Sequence, residues 1–336
     1  MTAPTLRGAS VVVTGGAGFI GSHLVDRILR ERPRRVVALD NLWLGRRENL
    51  AGALRRAGVE LRVVDATRLR AVRDVLRAAR VEVVFDLATI PLPASLRRPR
   101  WAAEQIFTMA TVLAELARLG EYATLVHCSS SEVYGTAVRV PMDERHPLGA
   151  ETPYAAAKAA GDLVVRSYQR TFGIDAAIVR PFNTYGPRQN RADWAGIIPR
   201  VLNRLAAGEA PVIQGDGLQT RDFVYVTDTA EAIVRAYLAP ASRGRVIDIA
   251  SGREVRIDRL VALLCRLSGA KVRPVHEPAR PGDVRRHHGD PSAAKALLGF
   301  RTTVSLEEGL RRTVAWYAAE GRAARRARPA RRRSAS

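Results

Sequence analysis

Two cysteines in 336 residues, Cys128 and Cys265, are too few for a disulfide framework. Neither stands in a nucleophile-type motif, so both are read as buried small apolar residues. Long apolar runs are missing too, since nothing approaches the ~18 consecutive residues of a membrane-spanning helix. The opening stretch, MTAPTLRGAS, lacks the basic-then-apolar form of a signal peptide. These absences lead to the expectation of a cytoplasmic protein with no membrane partner. Internal repeats are absent. His287 and His288 are adjacent and so point in different directions, and no metal site is expected.

Acids are scarce: 33 Asp and Glu stand against 54 Lys and Arg, a formal net charge of +21. Such a balance raises the question of nucleic acid. Its distribution argues otherwise. The last fifteen residues, RAARRARPARRRSAS, hold seven arginines and no acid, the composition of a solvated, disordered tail over 322–336. Elsewhere arginine is spread along the whole chain rather than focused. No nucleic-acid partner is expected, whereas an acidic phosphorylated substrate would profit from the field.

What is present is a soluble globular pattern, with 47% hydrophobic residues over one large or two modest domains. From Ser10 the chain reads as a β-branched run, a glycine turn and a helical pattern, with Gly15, Gly18 and Gly21 three apart. Glycines there permit a tight turn and let backbone N–H groups approach a pyrophosphate at a helix N-terminus. A second strand, RVVALD, ends in Asp40, placed to bond adenosine ribose hydroxyls and disfavour a 2′-phosphate. NAD is therefore expected over NADP, with Arg46 and Arg47 nearby. Further strands are expected at ELRVVD, VEVVFDLA, ATLVHCSS and DAAIVRPFNTYGP, separated by helical patterns. The class is α/β: a Rossmann-like, doubly wound parallel sheet with ligands at the carboxyl ends of its strands.

LVHCSS ends in three hydroxyls, Ser129 to Ser131, followed by Glu132. Farther on, Tyr154 and Lys158 stand at i and i+4 and share one helix face. A free phenol has a pKa near ~10, and an ammonium held close favours the phenolate. With a serine hydroxyl donating to the same substrate oxygen, such a group would take a proton from a sugar or alcohol hydroxyl. Beyond Pro187, loops rich in Gly, Arg and Asp alternate with helices. The expected division is a cofactor domain over 1–182, completed by about 223–250, and a smaller mixed α/β substrate lobe over 183–222 and 251–321.

With these pieces placed, the chain resembles the extended short-chain dehydrogenase/reductase family of nucleotide-sugar epimerases, dehydratases and decarboxylases. The likeness runs from Ser10 to about Gly321. It rests on TGGAGFIG (14–21), LDNL (39–42), SSSEVYG (129–135), YAAAK (154–158), RPFNTYGPRQ (180–189), GDGLQTRDFVYVTD (215–228) and RPGDV (280–284). The resemblance implies an NAD reduced and re-oxidised within one cycle. It makes Tyr154 the base on the sugar 4-hydroxyl, Lys158 the ligand of the nicotinamide ribose, and Ser130 the partner of the reacting oxygen. It places Gly15, Gly18, Phe19, Ile20, Gly21, Asp40, Asn41, Asp65, Ala66, Leu87 and Ala88 around the cofactor. Asn183 and Arg221 would hold the diphosphate of the nucleotide-diphosphate sugar, with Arg280 near the nucleoside. A homodimer through helices around 102–118 and 154–172 is implied.

The chain departs from the family pattern at four positions. Asp86 replaces the usual histidine of a strand end, and Thr89 the last alanine of the same motif. Ile106 and Met109 stand where Asn-x-x-Gly is common, an asparagine that braces the catalytic strand. Glu132 lies where family dehydratases and decarboxylases carry a glutamate. The expected reaction is a 4,6-dehydration, with Glu132 as the C5 base and Ser131 aiding the leaving hydroxyl. A 4-epimerase is the alternative; a decarboxylase and a non-catalytic nucleotide-sugar binder fit less well.

Overall fold

In the computed structural model, the structure describes residues 4–190, 194–280 and 282–327, without the side chains of 323–327. Seven parallel strands form the main sheet: β1 (Ser10–Thr14), β2 (Arg35–Asp40), β3 (Val59–Val63), β4 (Val83–Asp86), β5 (Thr124–Cys128), β6 (Asp175–Pro181) and β10 (Val246–Ile249). Their spatial order is β10-β6-β5-β4-β1-β2-β3. The order reverses between β1 and β4, the switch point at which open α/β sheets bind ligands.

The central strands are buried on both faces, which explains their unbroken runs of Val, Leu and Phe. Successive residues feed opposite layers. Val11 and Val13 pack with α1 (Phe19–Ile28), α7 (Val226–Leu238) and α9 (Ser292–Leu298). Val12 joins α2 (Leu69–Ala79), α4 (Pro99–Arg118) and α5 (Pro153–Phe172) on the other face. A short helix, α3 (Leu92–Arg97), leads into α4. Helix α5 carries the candidate base and is firmly bounded. The Thr152 side chain accepts from Ala155 N at 3.2 Å, Pro153 opens the first turn, and Gly173 closes the helix at φ +70°.

The smaller lobe has two small sheets. One pairs β7 (Asn183–Tyr185), β9 (Thr220–Tyr225) and β11 (Glu254–Arg256); the other pairs β8 (Val212–Gln214) and β12 (Val275–Glu277). They enclose a core with α6 (Ile197–Ala206), α8 (Ile257–Leu267) and α10 (Leu306–Ala327), where Tyr185, Leu260, Leu264 and Leu310 are buried.

Three expectations are corrected here. DAAIVRPFNTYGP is not one strand: β6 stops at Pro181, which has no amide donor, and β7 joins the smaller sheet. Helix α9 packs on α7 and β10 rather than in the substrate lobe. Residues 322–327, expected in a disordered tail, are helical instead, because α10 continues to Ala327 through an Ala- and Arg-rich stretch of high helix propensity. Residues 328–336 lie outside the described residues. Among the described residues, no helix is long and apolar enough to cross a membrane.

Candidate active site

A cleft of about 690 Å³ runs along the carboxyl ends of β1, β2, β4 and β5 and into the smaller lobe. That size suits a cofactor with a small substrate. At one end, Gly15 has φ +62°, and a Cβ on it would lie 2.9 Å from Leu87 O. A Cβ on Gly21 would lie 2.1 Å from Gly15 O. Only glycine lets turn and helix approach this closely. Asp40 accepts from Ala17 N at 3.0 Å and Leu42 N at 2.8 Å. Burial pushes its carboxyl up, and those backbone donors hold it down.

Gly18, Phe19, Ile20, Asn41, Ala66, Leu87 and Ala88 line the same cleft. Asp65 does not. Its Oδ1 accepts from Thr67 N and Thr67 Oγ1 at 2.9 and 2.8 Å, bracing a turn, while Ala66 forms the wall.

Ser130, Glu132, Tyr154 and Lys158 meet at the centre of the cleft. Lys158 is buried and its Nζ donates to Cys128 O at 2.9 Å. Burial pushes the Tyr154 phenol up; a hydrogen bond with Ser130 opposes this, and Glu132 and Asp162 add to it. Ser130 Oγ also accepts from Glu132 N at 3.2 Å, capping a short turn over Ser131–Tyr134. Glu132 thereby faces the cleft half-buried. Ser131 is buried, and its carbonyl meets His287 Nε2 at 3.1 Å. His287, packed on Phe182, is a wall behind this turn. Among the described residues, no group of three His, Cys, Asp or Glu side chains is placed to hold a metal.

Farther along, Asn183, Arg221 and Arg280 line the lobe end of the cleft. Arg221 is buried, with Nη1 donating to Val284 O at 2.6 Å and Nη2 to Asp283 Oδ1 at 2.7 Å. Arg280 Nη2 reaches the same oxygen at 3.1 Å, and its buried Nε has no partner. The sequence reading missed Arg200, Gln214 and Gln219, which also line this end. It also missed Trp43 and Trp194, whose rings meet at 6.1 Å across the rim. Arg200 alone carried a visible signal, as an arginine in the first turn of an amphipathic helix.

A match to the family of NAD dependent epimerases and dehydratases spans residues 11–250. The chain belongs to that family. It is 37% identical to the UDP-glucose 4-epimerase of Mycolicibacterium smegmatis, over 91% of this chain and 97% of that protein. It is 33% identical to the dTDP-glucose 4,6-dehydratase of Streptomyces niveus, over 91% and 92%. The solved dTDP-glucose 4,6-dehydratase of Streptomyces venezuelae, with NAD bound, superposes with a TM-score of 0.87 at 32% identity, covering 94% of this chain and 98% of that one. The family's cofactor is NAD, and the Gly15–Gly21 turn, with Asp40 beyond it, fits that dinucleotide: a Cβ at either glycine would fill the space against the backbone.

Proposed function

We propose that the chain is a 4,6-dehydratase of a nucleotide-diphosphate hexose. NAD, held by the Gly15–Gly21 turn and Asp40, would supply the hydride acceptor for sugar C4. Tyr154 takes the proton of the 4-hydroxyl while Ser130 holds the same oxygen. Lys158, anchored on Cys128 O, supplies a positive charge and would bond the cofactor ribose. The 4-ketone so formed acidifies the C5 proton. Glu132 removes that proton, and Ser131 assists the 6-hydroxyl as it leaves as water; the hydride taken from C4 would then return to C6, and a proton from Glu132 to C5, giving a 4-keto-6-deoxy sugar and restoring the oxidised cofactor. Asn183, Arg221 and Arg280 bind the nucleoside diphosphate, the arginine forks matching phosphate oxygens; Arg200 adds a further cation to that end.

One observation carries this reading. Among the described residues the cleft holds three carboxylates, and two are engaged: Asp40 with backbone amides, Asp283 with two arginines. Glu132 is the third, beside Tyr154.

A 4-epimerase is the second reading. Ser131 favours it, because a hydroxyl is a far weaker acid than a carboxyl for expelling water. That reaction needs only Tyr154, Ser130 and room for the ketosugar to turn. Mass spectrometry on UDP-glucose, dTDP-glucose and their N-acetylhexosamine counterparts decides the matter. Loss of one water supports the dehydratase. Unchanged mass with an inverted C4 proton by NMR makes the chain an epimerase. We also infer a homodimer joined through α4 and α5, which pack on each other and leave Phe107, Leu163 and Phe172 exposed.

A further inference from the structure

Buried polar side chains cross the main sheet in a row beneath the active site. Thr14 on β1, Asp86 on β4 and His127 on β5 are in register. Arg180 on β6 and Asp248 on β10 are in register with each other, two residues beyond the level of His127. The row is hydrogen-bonded except at one step, between His127 Nε2 and Asp162 Oδ1, which face each other with no hydrogen-bond partner. Thr14 Oγ1 donates to Asp86 Oδ1 at 2.8 Å, and His127 Nδ1 meets Asp86 Oδ2 at 2.7 Å. His127 Nε2 faces Asp162 Oδ1 at 3.6 Å, and Arg180 Nε donates to Asp162 Oδ2 at 2.8 Å. Arg180 Nη1 donates to the Tyr134 hydroxyl at 2.8 Å, which donates to Asp248 at 2.9 Å.

Burying this many ionisable groups costs more than an apolar sheet would, so folding does not account for the row. Its position does. Asp162 lies one turn beyond Lys158 on α5, and Lys158 acts on Asp86 through space. Thr14 Oγ1 accepts from Leu87 N and Ala88 N, at 3.0 and 3.1 Å, on the wall of the cofactor cleft. Gly161 lets α5 lie close to α4 beside His127, since a Cβ there would stand 3.2 Å from Ala110 Cβ.

We propose that His127 and Asp86 are positioning residues of the active site. The imidazole, bonded to Asp86 and set against Asp162 on α5, positions α5 against β4 and β5, so that Lys158 stays on Cys128 O; Asp86 balances the Lys158 charge and, through it, Tyr154. The inference rests on the roles proposed above for Tyr154 and Lys158. The charged and titratable groups facing His127 are Asp86 from β4, Lys158 and Asp162 from α5, Arg180 from β6 and the adjoining Cys128 of β5, while α4 presents Ala110. The two carboxylates and two cations balance. Burial alone would push Asp86 up, but His127 and Lys158 hold it below the usual carboxylate range.

His127→Phe leaves two carboxylates facing a ring that cannot bond them, which disfavours the Tyr154 phenolate. Asp86→Asn removes a negative charge and favours it. The experiment measures kcat against pH on UDP-glucose and dTDP-glucose, and NAD affinity by quenching of tryptophan fluorescence. In both variants kcat falls by about 10²-fold, the scale of a slightly misplaced catalytic group. The alkaline-rising midpoint moves up by about one pH unit in His127→Phe and down by about one in Asp86→Asn. His127→Asn, which keeps a donor towards Asp86, recovers most of the rate. Rate losses with an unmoved midpoint, or shifts in the same direction, overturn the proposal. If the unaltered protein turns over neither sugar, the functional reading fails by itself and NAD affinity decides. A fall of about tenfold in His127→Phe, restored in His127→Asn, supports positioning of Lys158; equal affinities overturn it. Should His127→Phe not fold, Asp86→Asn carries both measurements.

Discussion

Arg221 and Arg280 converge on a single oxygen, Oδ1 of Asp283, at 2.7 and 3.1 Å. The carboxylate therefore fixes the two guanidinium groups proposed above to bind the nucleotide, and it also meets Gln219 Nε2 at 3.4 Å. Replacing Asp283 by Ala frees both arginines without touching the reacting end of the cleft. KM for the nucleotide sugar should rise by about tenfold or more, the loss expected for a charged hydrogen bond, with kcat nearly unchanged. A steady-state titration against substrate reads the split; a fall in kcat at constant KM would contradict it.

Much of this site was legible in the chain because its parts are local. The Gly15–Gly21 turn follows its strand directly, Asp40 ends the next one, and Tyr154 and Lys158 are a helical turn apart. Asp283 was not legible as an organiser, since its partners come from β9 and from its own loop, folded together only in three dimensions. The Asp86 row was equally hidden. Asp86 stood out in sequence only as a departure from the family's histidine, and its bond to His127 depends on the register of β4 against β5. The contact of Trp43 with Trp194 joins two lobes and has no local signature at all.

Gly45 leaves the space that the Asp40 carboxylate occupies, since a Cβ there would lie 2.5 Å from Oδ1. That carboxylate is bonded to Ala17 N and Leu42 N in the cleft that the proposal gives to NAD. In Asp40→Ala, NAD should bind about tenfold more weakly. NADP should lose less, because no anion then opposes its 2′-phosphate and Arg46 lines the cleft. Parallel fluorescence titrations with the two dinucleotides test this, and an unchanged affinity ratio would refute it.

Asp248 is fully buried beside Tyr134 and Glu144, whose Oε1 accepts from Asp248 N at 2.8 Å. Burial, with Glu144 adding to it, pushes the Asp248 carboxyl well up. A carboxyl with a raised folded-state pKa binds more protons folded than unfolded. Stability on its account is therefore full below the unfolded value, near ~3.9, and falls as pH rises from there towards the folded pKa. Asp248→Asn keeps an acceptor for Tyr134 and removes the titration. Its thermal midpoint should exceed that of the unaltered protein by roughly 2–4 °C at neutral pH and should converge with it in acid. Calorimetry across pH would show a constant gap if the reasoning is wrong.

Leu163 and Phe172 on α5 and Phe107 on α4 are each at least two-fifths exposed. Large apolar side chains left exposed on two adjoining helices are what supports the proposed dimer contact. If α4 and α5 form the homodimer contact, Leu163→Arg buries an unpaired charge at the interface and should shift the protein from dimer to monomer at micromolar concentration. Light scattering of both proteins is the check, and a monomeric unaltered protein would dispose of the dimer outright.

Glu132 separates the two chemistries most sharply. Glu132→Gln keeps the size of the side chain and leaves the backbone amide bonded to Ser130 Oγ, so the turn that carries it should hold. In a dehydratase the amide cannot take the C5 proton, and water loss should fall by 10²-fold or more, the upper part of the usual range for general bases being about 10⁴. Oxidation at C4 needs only Tyr154, Ser130 and Lys158, so the absorbance of reduced cofactor should still appear on mixing with substrate. A 4-epimerase would behave otherwise, with turnover little changed, because no proton leaves C5. Rapid mixing with absorbance detection, paired with mass spectrometry of the product, therefore assigns the carboxylate: stalled oxidation identifies it as the C5 base, and full turnover leaves it as one wall of an epimerase pocket.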